Sequence, residues 1–250
     1  MILKGDCLEQ VENLEPLSIQ TVVTSPPYWG LRDYDKEDQL GQESTPEAFV
    51  SKLVYLFNRI KEKLKDDGTV WVNIGDTYFG PKGGHFDSSN SITKSDTGSQ
   101  YRQQKKSPPK HKYIKIGDLT GIPWMFAFQM QRDGWYLKQD IIWAKPNPMP
   151  EAVNNRCVKS HEYIFVRKSD VWFLKTASLK EAHFAVFPEE LPAFCIKAGS
   201  KKGDLVLDPF MGAGTTALVA QKLGRKWIGI ELNQEYIEII KRRTAQRQLF

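Results

Sequence analysis

The sequence predicts a single α/β domain built on a mostly parallel β-sheet. The main indication is the last third of the chain, where predicted helices and strands alternate: helix Pro188–Ala198, strand Leu205–Leu207, helix Thr215–Leu223, strand Trp227–Ile230 and helix Gln234–Arg243. Such alternation is typical of βαβ units, whose strands run parallel. The chain has 250 residues, 40% of them hydrophobic and 26% charged. That length and composition suit one ordinary globular core.

The first elements are predicted from turn residues and helical spacing. A strand covers Thr21–Thr24 and ends at Ser25-Pro26-Pro27, because proline pushes the residue before it to extended geometry. The segment Pro46–Leu64 has apolar residues at helical spacing, with Thr45 as a cap and proline in the first turn. Residues Thr69–Ile74 are predicted as a buried strand.

The middle of the chain contains a long segment without periodicity. From Gly80 to Gly117 it is rich in Gly, Ser, Lys, Gln and Pro, which indicates a loop. A helix over Leu119–Gln131 and a strand over Lys138–Ala144 follow. Strands over Glu162–Arg167 and Val171–Leu174 are predicted to form a hairpin.

The 80–117 loop carries most of the chain's positive charge. Its eight basic residues are opposed by two acidic ones, Asp87 and Asp96, giving a net +6, while the whole chain carries +5. The basic residues are Lys82, Lys94, Arg102, Lys105, Lys106, Lys110, Lys112 and Lys115. A flexible cationic segment of this kind predicts contacts with phosphate groups.

The cysteines and the N-terminus exclude several classes of protein. Cys7, Cys157 and Cys195 are far apart, which predicts neither a disulfide framework nor a metal site. Charges within MILKGDCLEQ argue against a signal peptide, and no apolar run reaches membrane-spanning length. We therefore expect a cytoplasmic protein without a metal ion.

A glycine-rich turn near the C-terminus predicts a nucleoside cofactor. Asp208-Pro209-Phe210-Met211-Gly212-Ala213-Gly214-Thr215-Thr216 links a strand to a helix start, where free N–H groups and glycine backbone can approach a ligand. Glu231 ends the next strand, roughly 20 residues on, at the position of an acid that binds ribose hydroxyls. This pattern alone leaves NAD and S-adenosylmethionine open. Asp208 favours S-adenosylmethionine, because a carboxylate suits the methionine ammonium and not a pyrophosphate, and Phe210 can pack against the adenosine.

The residues Ser25-Pro26-Pro27-Tyr28 predict chemistry on an exocyclic base amine. Such a nitrogen is a poor nucleophile, and acceptors placed at its N–H groups favour its reactive, pyramidal form. The Ser25 hydroxyl and the Pro26 carbonyl can supply them, and the paired prolines fix that carbonyl at low entropic cost. Tyr28, with Trp29, can stack on a base drawn out of the duplex.

Together these two motifs resemble those of the β-class DNA amino-methyltransferases, and of their cytosine-N4 branch in particular. Val23-Thr24-Ser25-Pro26-Pro27-Tyr28 resembles the catalytic signature, and residues 208–216 resemble the cofactor motif, with Ala213 where serine is commoner. Further landmarks are Gly5-Asp6 and His183-Phe184-Ala185-Val186-Phe187-Pro188. The resemblance implies a single Rossmann-like methyltransferase domain over residues 1–250, with a seven-stranded sheet and a circularly permuted motif order.

The glycine turn, the basic segment and the resemblance together imply site residues and partners. Cofactor contacts are assigned to Asp6, Asp208, Pro209, Phe210, Gly212, Gly214, Thr215, Thr216, Glu231, Asn233, His183, Phe184 and Phe187. DNA contacts are assigned to Trp29, Lys82, Arg102, Lys105, Lys106, Lys110, Lys112 and Arg156. Only a very short target-recognition insertion remains, around residues 147–180, so reading of the DNA sequence falls to the basic loop, to residues 147–159 or to a second subunit. A homodimer and a cognate restriction endonuclease stay open as partners.

Four alternatives remain to be weighed. An adenine-N6 enzyme usually has aspartate at the position of Ser25. RNA and protein-glutamine methyltransferases usually show Asn-Pro-Pro-Tyr and the unpermuted order. A nicotinamide oxidoreductase would leave the proline pair without a role, and a non-enzymatic DNA-binding module would need neither motif. The absence of a Pro-Cys nucleophile argues against methylation of cytosine C5.

Overall fold

The computed structural model describes residues 1–30, 39–80, 110–147, 156–165, 171–173 and 187–245. Its strands, in chain order, are β1 (Ile2–Lys4), β2 (Ile19–Thr24), β3 (Leu64–Ile74), β4 (Asp140–Ala144), β5 (His161–Phe165), β6 (Val171–Phe173), β7 (Leu205–Asp208) and β8 (Lys226–Glu231). Its helices are α1 (Cys7–Glu12), α2 (Pro46–Lys61), α3 (Ile122–Arg132), α4 (Glu190–Gly199), α5 (Thr215–Lys222) and α6 (Gln234–Ala245).

The described strands form one sheet in the order β1-β8-β7-β2-β3-β5-β4-β6. Only β5 is antiparallel to its neighbours, and all other pairings are parallel. The α/β class and the mostly parallel sheet are therefore confirmed. All seven predicted strands form, and β1 is an eighth. The sequence did not reveal β1 because three residues are too few to show an alternating pattern.

The predicted hairpin between β5 and β6 is wrong. β5 lies between β3 and β4, and its two sides are hydrogen-bonded to them. β6 pairs instead with β4, in parallel, with Ile142 opposite Val171. Two strands that are close in the chain often form a hairpin. Here β3 and β4 occupy both sides of β5, so β6 pairs with β4 instead.

Helix α2 begins as the sequence predicts and ends earlier. The Thr45 side chain accepts a hydrogen bond from the Ala48 N–H at 3.2 Å, and Pro46 occupies the first turn. The helix ends at Lys61, because Leu64 already belongs to β3, where it pairs with Ile19 of β2.

Helices cover both faces of the sheet, because neighbouring strand residues face opposite ways. Val22 and Val72 belong to the core formed with α1, α2 and α3, whereas Val23 and Trp71 belong to the core formed with α4 and α5. No helix within the described ranges is both long and apolar enough to span a membrane. This layering leaves the strand ends as the place where loops from distant parts of the chain meet.

Candidate active site

The Ser-Pro-Pro-Tyr corner (Ser25–Tyr28) and the glycine turn (Asp208–Thr216) begin side by side. β2 and β7 are adjacent and parallel, with Val22 opposite Leu207, so both strands end at the same edge of the sheet. At that edge the Thr24 hydroxyl donates a 2.6 Å hydrogen bond to Asp208 Oδ1. Two segments 184 residues apart in the chain thus meet directly.

The two glycines of the turn meet different surroundings. Both have positive φ, +52° at Gly212 and +80° at Gly214, which favours glycine. A Cβ on Gly214 would lie 2.9 Å from Ile240 Cγ1, so this glycine allows α6 to pack closely. A Cβ on Gly212 would meet nothing nearer than 4.0 Å. Backbone at Gly212 is therefore open to a ligand.

Two carboxylates lie beside the turn without an ion pair among the described residues. Asp208 is 1% exposed, and burial raises its pKa to about 6, although Thr24, Thr216 and the Phe210 N–H donate to it. Burial, with a smaller contribution from the charge of Asp208, raises the pKa of Glu231 to about 7. The Glu231 carboxylate accepts 2.8 Å bonds from the N–H groups of Gly212 and Asn233. Negative charge held in this way fits a ligand that is cationic and carries hydroxyl donors.

The Ser-Pro-Pro-Tyr corner contacts β3 and β5. The Asn73 amide donates to Ser25 Oγ at 3.5 Å and to Glu162 Oε2 at 2.9 Å. The Tyr28 hydroxyl donates to the same Glu162 oxygen at 2.6 Å. Lys145 Nζ pairs with Glu162 Oε1. The corner is therefore fixed by polar contacts that cross from β2 to the strands beside it.

The comparisons with known proteins agree with this geometry. A family model described as DNA methylase, covering the N6 and N4 types, matches residues 19–173 and 166–242. The chain belongs to the DNA methylase family. Its members transfer methyl groups from S-adenosylmethionine to amino groups, and this DNA methylase is an enzyme of that kind.

Curated relatives extend over nearly the whole chain. The Type II methyltransferase M.SmaI of Serratia marcescens is 41% identical, over 99% of this chain and 91% of the relative. The Type II methyltransferase M.Cfr9I of Citrobacter freundii is also 41% identical, over 95% of this chain and 85% of the relative.

Solved structures share the fold. The cytosine-N4-specific PvuII DNA methyltransferase superposes with a TM-score of 0.74 at 22% identity, covering 100% of this chain and 87% of that one. The M1.HpyAVI–SAM complex gives a TM-score of 0.60 at 22% identity, over 97% and 98% of the two chains. At such identities the likeness supports the methyltransferase fold.

The methylase brings most of the expected cofactor residues to one edge of the sheet. Asp6 follows β1, which pairs with β8, so it lies near Glu231. Its side chain accepts from the Leu8 N–H at 2.8 Å and caps α1. Asn233 likewise accepts from the Glu235 N–H. Both side chains thus stabilise helix starts, a role that the sequence analysis did not assign.

The remaining cofactor candidates differ in what they can offer. The Thr215 and Thr216 side chains are buried within the protein, so they can serve a ligand through their N–H groups at the start of α5. Pro209 is buried, and Phe210 and Phe187 are half-buried against the two main cores. His183 and Phe184 lie outside the described residues.

Trp29, which the sequence analysis assigned to DNA, is buried in this structure. Its indole is 5% exposed, stacks on Phe79 with ring centroids 6.1 Å apart, and donates from Nε1 to the Glu43 carbonyl at 2.9 Å. In this structure the indole therefore contacts protein through one ring face and through its N–H. The sequence could not distinguish the two aromatic neighbours, of which only Tyr28 is half-exposed.

Of the basic loop, the structure describes Gly80 and residues 110–117. Lys110 and Lys112 are exposed, as the predicted DNA contact requires. The Gly117 N–H donates to the Phe79 carbonyl, and the Phe79 N–H donates to the Asp118 carbonyl, so these backbone bonds join the two ends of the segment. The guanidinium of Arg156 lies over the Tyr78 ring at 3.6 Å. Lys82, Arg102, Lys105 and Lys106 lie outside the described residues.

Three polar residues were missed or left without a role. Glu162, Asn73 and Asp76 are near the ends of β3 and β5, and the sequence analysis assigned none of them a role. Asp76 accepts from the N–H groups of Gly121 and Ile122 and so caps α3. Glu162 could have been noticed as a charged residue at the start of a predicted strand. A buried charge requires hydrogen-bonding partners, so its presence in a strand indicates a polar site nearby.

Proposed function

We propose that this DNA methylase transfers the methyl group of S-adenosylmethionine to the N4 amine of cytosine in double-stranded DNA. The observation that carries the proposal is the serine, in place of an acid, at the corner beside the cofactor turn. Its hydroxyl is already an acceptor for Asn73, at 3.5 Å. The cytosine-N4-specific name of the PvuII enzyme supports this specificity.

The chain's own residues orient the amine. The Ser25 hydroxyl and the Pro26 carbonyl accept its two N–H bonds, which favours a pyramidal nitrogen with its lone pair directed at the methyl donor. The half-exposed Tyr28 ring stacks on the flipped base. When bound, S-adenosylmethionine supplies an electrophilic methyl group, and the closeness of corner and turn makes the transfer effectively intramolecular.

The turn and its acids bind the cofactor. The open backbone at Gly212 and the N–H groups at the start of α5 admit the methionine part. Glu231 uses one acceptor site on each oxygen for backbone, so each oxygen retains capacity for a ribose hydroxyl. Buried Asp208 contributes negative charge near the sulfonium and ammonium groups, and it acts through the field because its hydrogen bonds go to the protein.

The substrate class follows from charge as well as family. The 80–117 segment carries a net +6, more than the +5 of the whole chain, and this charge favours a polyanionic substrate. The Type II names of the relatives support a place in restriction-modification beside a cognate endonuclease.

The test is a methylation assay with labelled S-adenosylmethionine and unmethylated duplex DNA, followed by mass spectrometry of the digested nucleosides. We expect N4-methylcytosine. N6-methyladenine as the product would overturn the cytosine assignment and keep the family chemistry. The Ser25→Ala variant should lose most of the transfer rate while binding cofactor normally, because Ser25 contacts the base and not the turn.

A further inference from the structure

We propose that Glu162 is the positioning residue of the active site, fixing both the serine and the tyrosine of the Ser-Pro-Pro-Tyr corner from the far side of β3. The inference rests on the proposed function, since Ser25 and Tyr28 act there on the base. Glu162 belongs to neither sequence motif and lies on β5, more than 130 residues beyond the corner.

The Glu162 carboxylate uses both of its oxygens inside the protein. Oε2 accepts from the Tyr28 hydroxyl at 2.6 Å and from the Asn73 amide at 2.9 Å, while Oε1 pairs with Lys145. The residue is 8% exposed. A buried carboxylate is retained at a desolvation cost, so it needs such donors. These contacts fix the position of the Glu162 carboxylate and of the groups that donate to it.

The carboxylate sets the orientation of the Asn73 amide. Because a carboxylate only accepts, the NH₂ group of Asn73 must face Glu162. The second N–H of that group then faces Ser25 Oγ. The serine therefore accepts from Asn73 with one lone pair and keeps the other for the base amine. If the amide turned over, its carbonyl oxygen would face the Glu162 carboxylate, acceptor against acceptor, and Asn73 would no longer donate to Ser25 Oγ.

The same carboxylate holds the Tyr28 ring by its hydroxyl, and Gly75 limits the ring from the side. A Cβ added at Gly75 would lie 2.7 Å from Tyr28 Cε2 and 3.0 Å from Cζ, so the ring lies against the backbone of β3's end. A ring restrained at its tip and along its edge presents one face in a fixed plane. A base that stacks on this face is then aligned with the serine.

Lys145 supplies the balancing charge. Its ammonium pairs with Glu162 and lies over the Trp143 ring at 4.7 Å, on strand β4. The lysine remains 21% exposed, so loss of the glutamate charge leaves it partly hydrated. Glu162→Gln is consequently expected to fold, which makes the positioning role testable in a stable protein.

The experiment measures single-turnover methyl transfer at saturating DNA and cofactor, together with cofactor affinity and Tm. The variants are Glu162→Gln, Tyr28→Phe, Gly75→Ala and a matched control, Asp204→Asn. Asp204 also pairs with a lysine, Lys65 at 3.5 Å, but it lies at the opposite edge of the sheet.

A positioning role predicts that Glu162→Gln lowers the transfer rate about 10- to 100-fold, since small misplacements of reacting groups cost that much. Cofactor affinity should stay within about 2-fold. Gly75→Ala displaces the same ring without changing a charge, so it should lower the rate in the same direction. Tyr28→Phe should lower the transfer rate less. Added to Glu162→Gln, it should lower the rate little further, because both changes act on the same Tyr28–Glu162 hydrogen bond.

Two results would overturn the proposal. One is a Glu162→Gln variant whose transfer rate equals that of Asp204→Asn, whatever its Tm. The other is a rate loss accompanied by an equal loss of cofactor affinity, which would indicate general damage. If the wild-type protein itself methylates no exocyclic amine, the proposed function fails, whereas an active wild type with an equally active Glu162→Gln overturns only the positioning role.

Discussion

Replacing Thr24 by valine should weaken the junction on which the whole site depends. Valine has nearly the shape of threonine and lacks the hydroxyl that donates to Asp208 Oδ1 at 2.6 Å. Thr24 is 1% exposed and Asp208 is 1% exposed, so water cannot replace the lost donor. The only bonds left to the carboxylate among those described come from Thr216 and the Phe210 N–H.

The size of the effect should depend on pH, because the pKa of Asp208 is raised to about 6. At pH 8 the carboxylate is ionised, and a hydrogen bond to a charged group contributes about 1.5–3 kcal/mol. At pH 5 the group is protonated in the folded protein, and the neutral bond contributes about 1 kcal/mol. The variant should therefore lose about 2 kcal/mol in the free energy of unfolding at pH 8 and about half of that at pH 5.

Urea unfolding followed by tryptophan fluorescence measures both values. A double-mutant cycle with Asp208→Asn isolates the pair, and it should give a coupling of about 1 kcal/mol or more. Thr24→Ser keeps the hydroxyl and controls for the changed side chain. Its loss of one buried methyl costs about 1 kcal/mol at either pH, without coupling to Asp208. A Thr24→Val loss that is the same at both pH values and uncoupled to Asp208 would refute the reasoning.

Three further outcomes follow from the same site. As pH rises from about 4 to 8, the free protein should lose about 2–3 kcal/mol of stability for each of Asp208 and Glu231, because their folded pKa values of about 6 and 7 exceed unfolded values near 4. Urea titrations of the wild type and of Glu231→Gln test this, and a flat wild-type profile would contradict it. Gly214→Ala should lower the free energy of unfolding by about 2–4 kcal/mol, through backbone strain and the contact with Ile240. Gly212→Ala should lower it by about 1 kcal/mol and mainly weaken cofactor binding, which calorimetry can measure. A larger loss of stability in Gly212→Ala than in Gly214→Ala would count against the open backbone at Gly212. The double variant Lys110→Ala/Lys112→Ala should show a weaker salt dependence of DNA binding, with the slope of log K against log salt reduced by about 2 in fluorescence anisotropy. The exposed Lys226, at the amino end of β8, serves as the control position for an alanine variant. An equal slope for the double variant and the Lys226 control would exclude Lys110 and Lys112 from phosphate contact.

Local patterns predicted the elements well because local forces determine them. Thr45 and Pro46 begin α2, and the βαβ alternation of the last third forms as expected. Gly212 and Gly214 have a positive φ, which glycine adopts without strain, although the sequence analysis named them only for close approach to a ligand. The end of α2 was misplaced because periodicity continues into Leu64, which β3 takes.

Contacts between distant residues were beyond such patterns. Nothing near β5 in the chain indicates that β4 and not β6 will pair with it, and nothing near Trp29 indicates that Phe79 will cover its ring. The partners of Glu162 lie on β3 and in the segments that follow β2 and β4. A buried carboxylate can be anticipated to need partners, but which donors reach it depends on strand order.

The sequence by itself determined the chemistry of this methylase. Residue types such as Ser25, the proline pair and the glycines have intrinsic donors, acceptors and backbone preferences, so they indicate a class of chemistry before any tertiary structure is known. Tertiary structure alone decided which of these groups meet. It placed Thr24 against Asp208 and gave Tyr28 and Asn73 a common acceptor, because long-range hydrogen bonds form only after the sheet has brought these strands together.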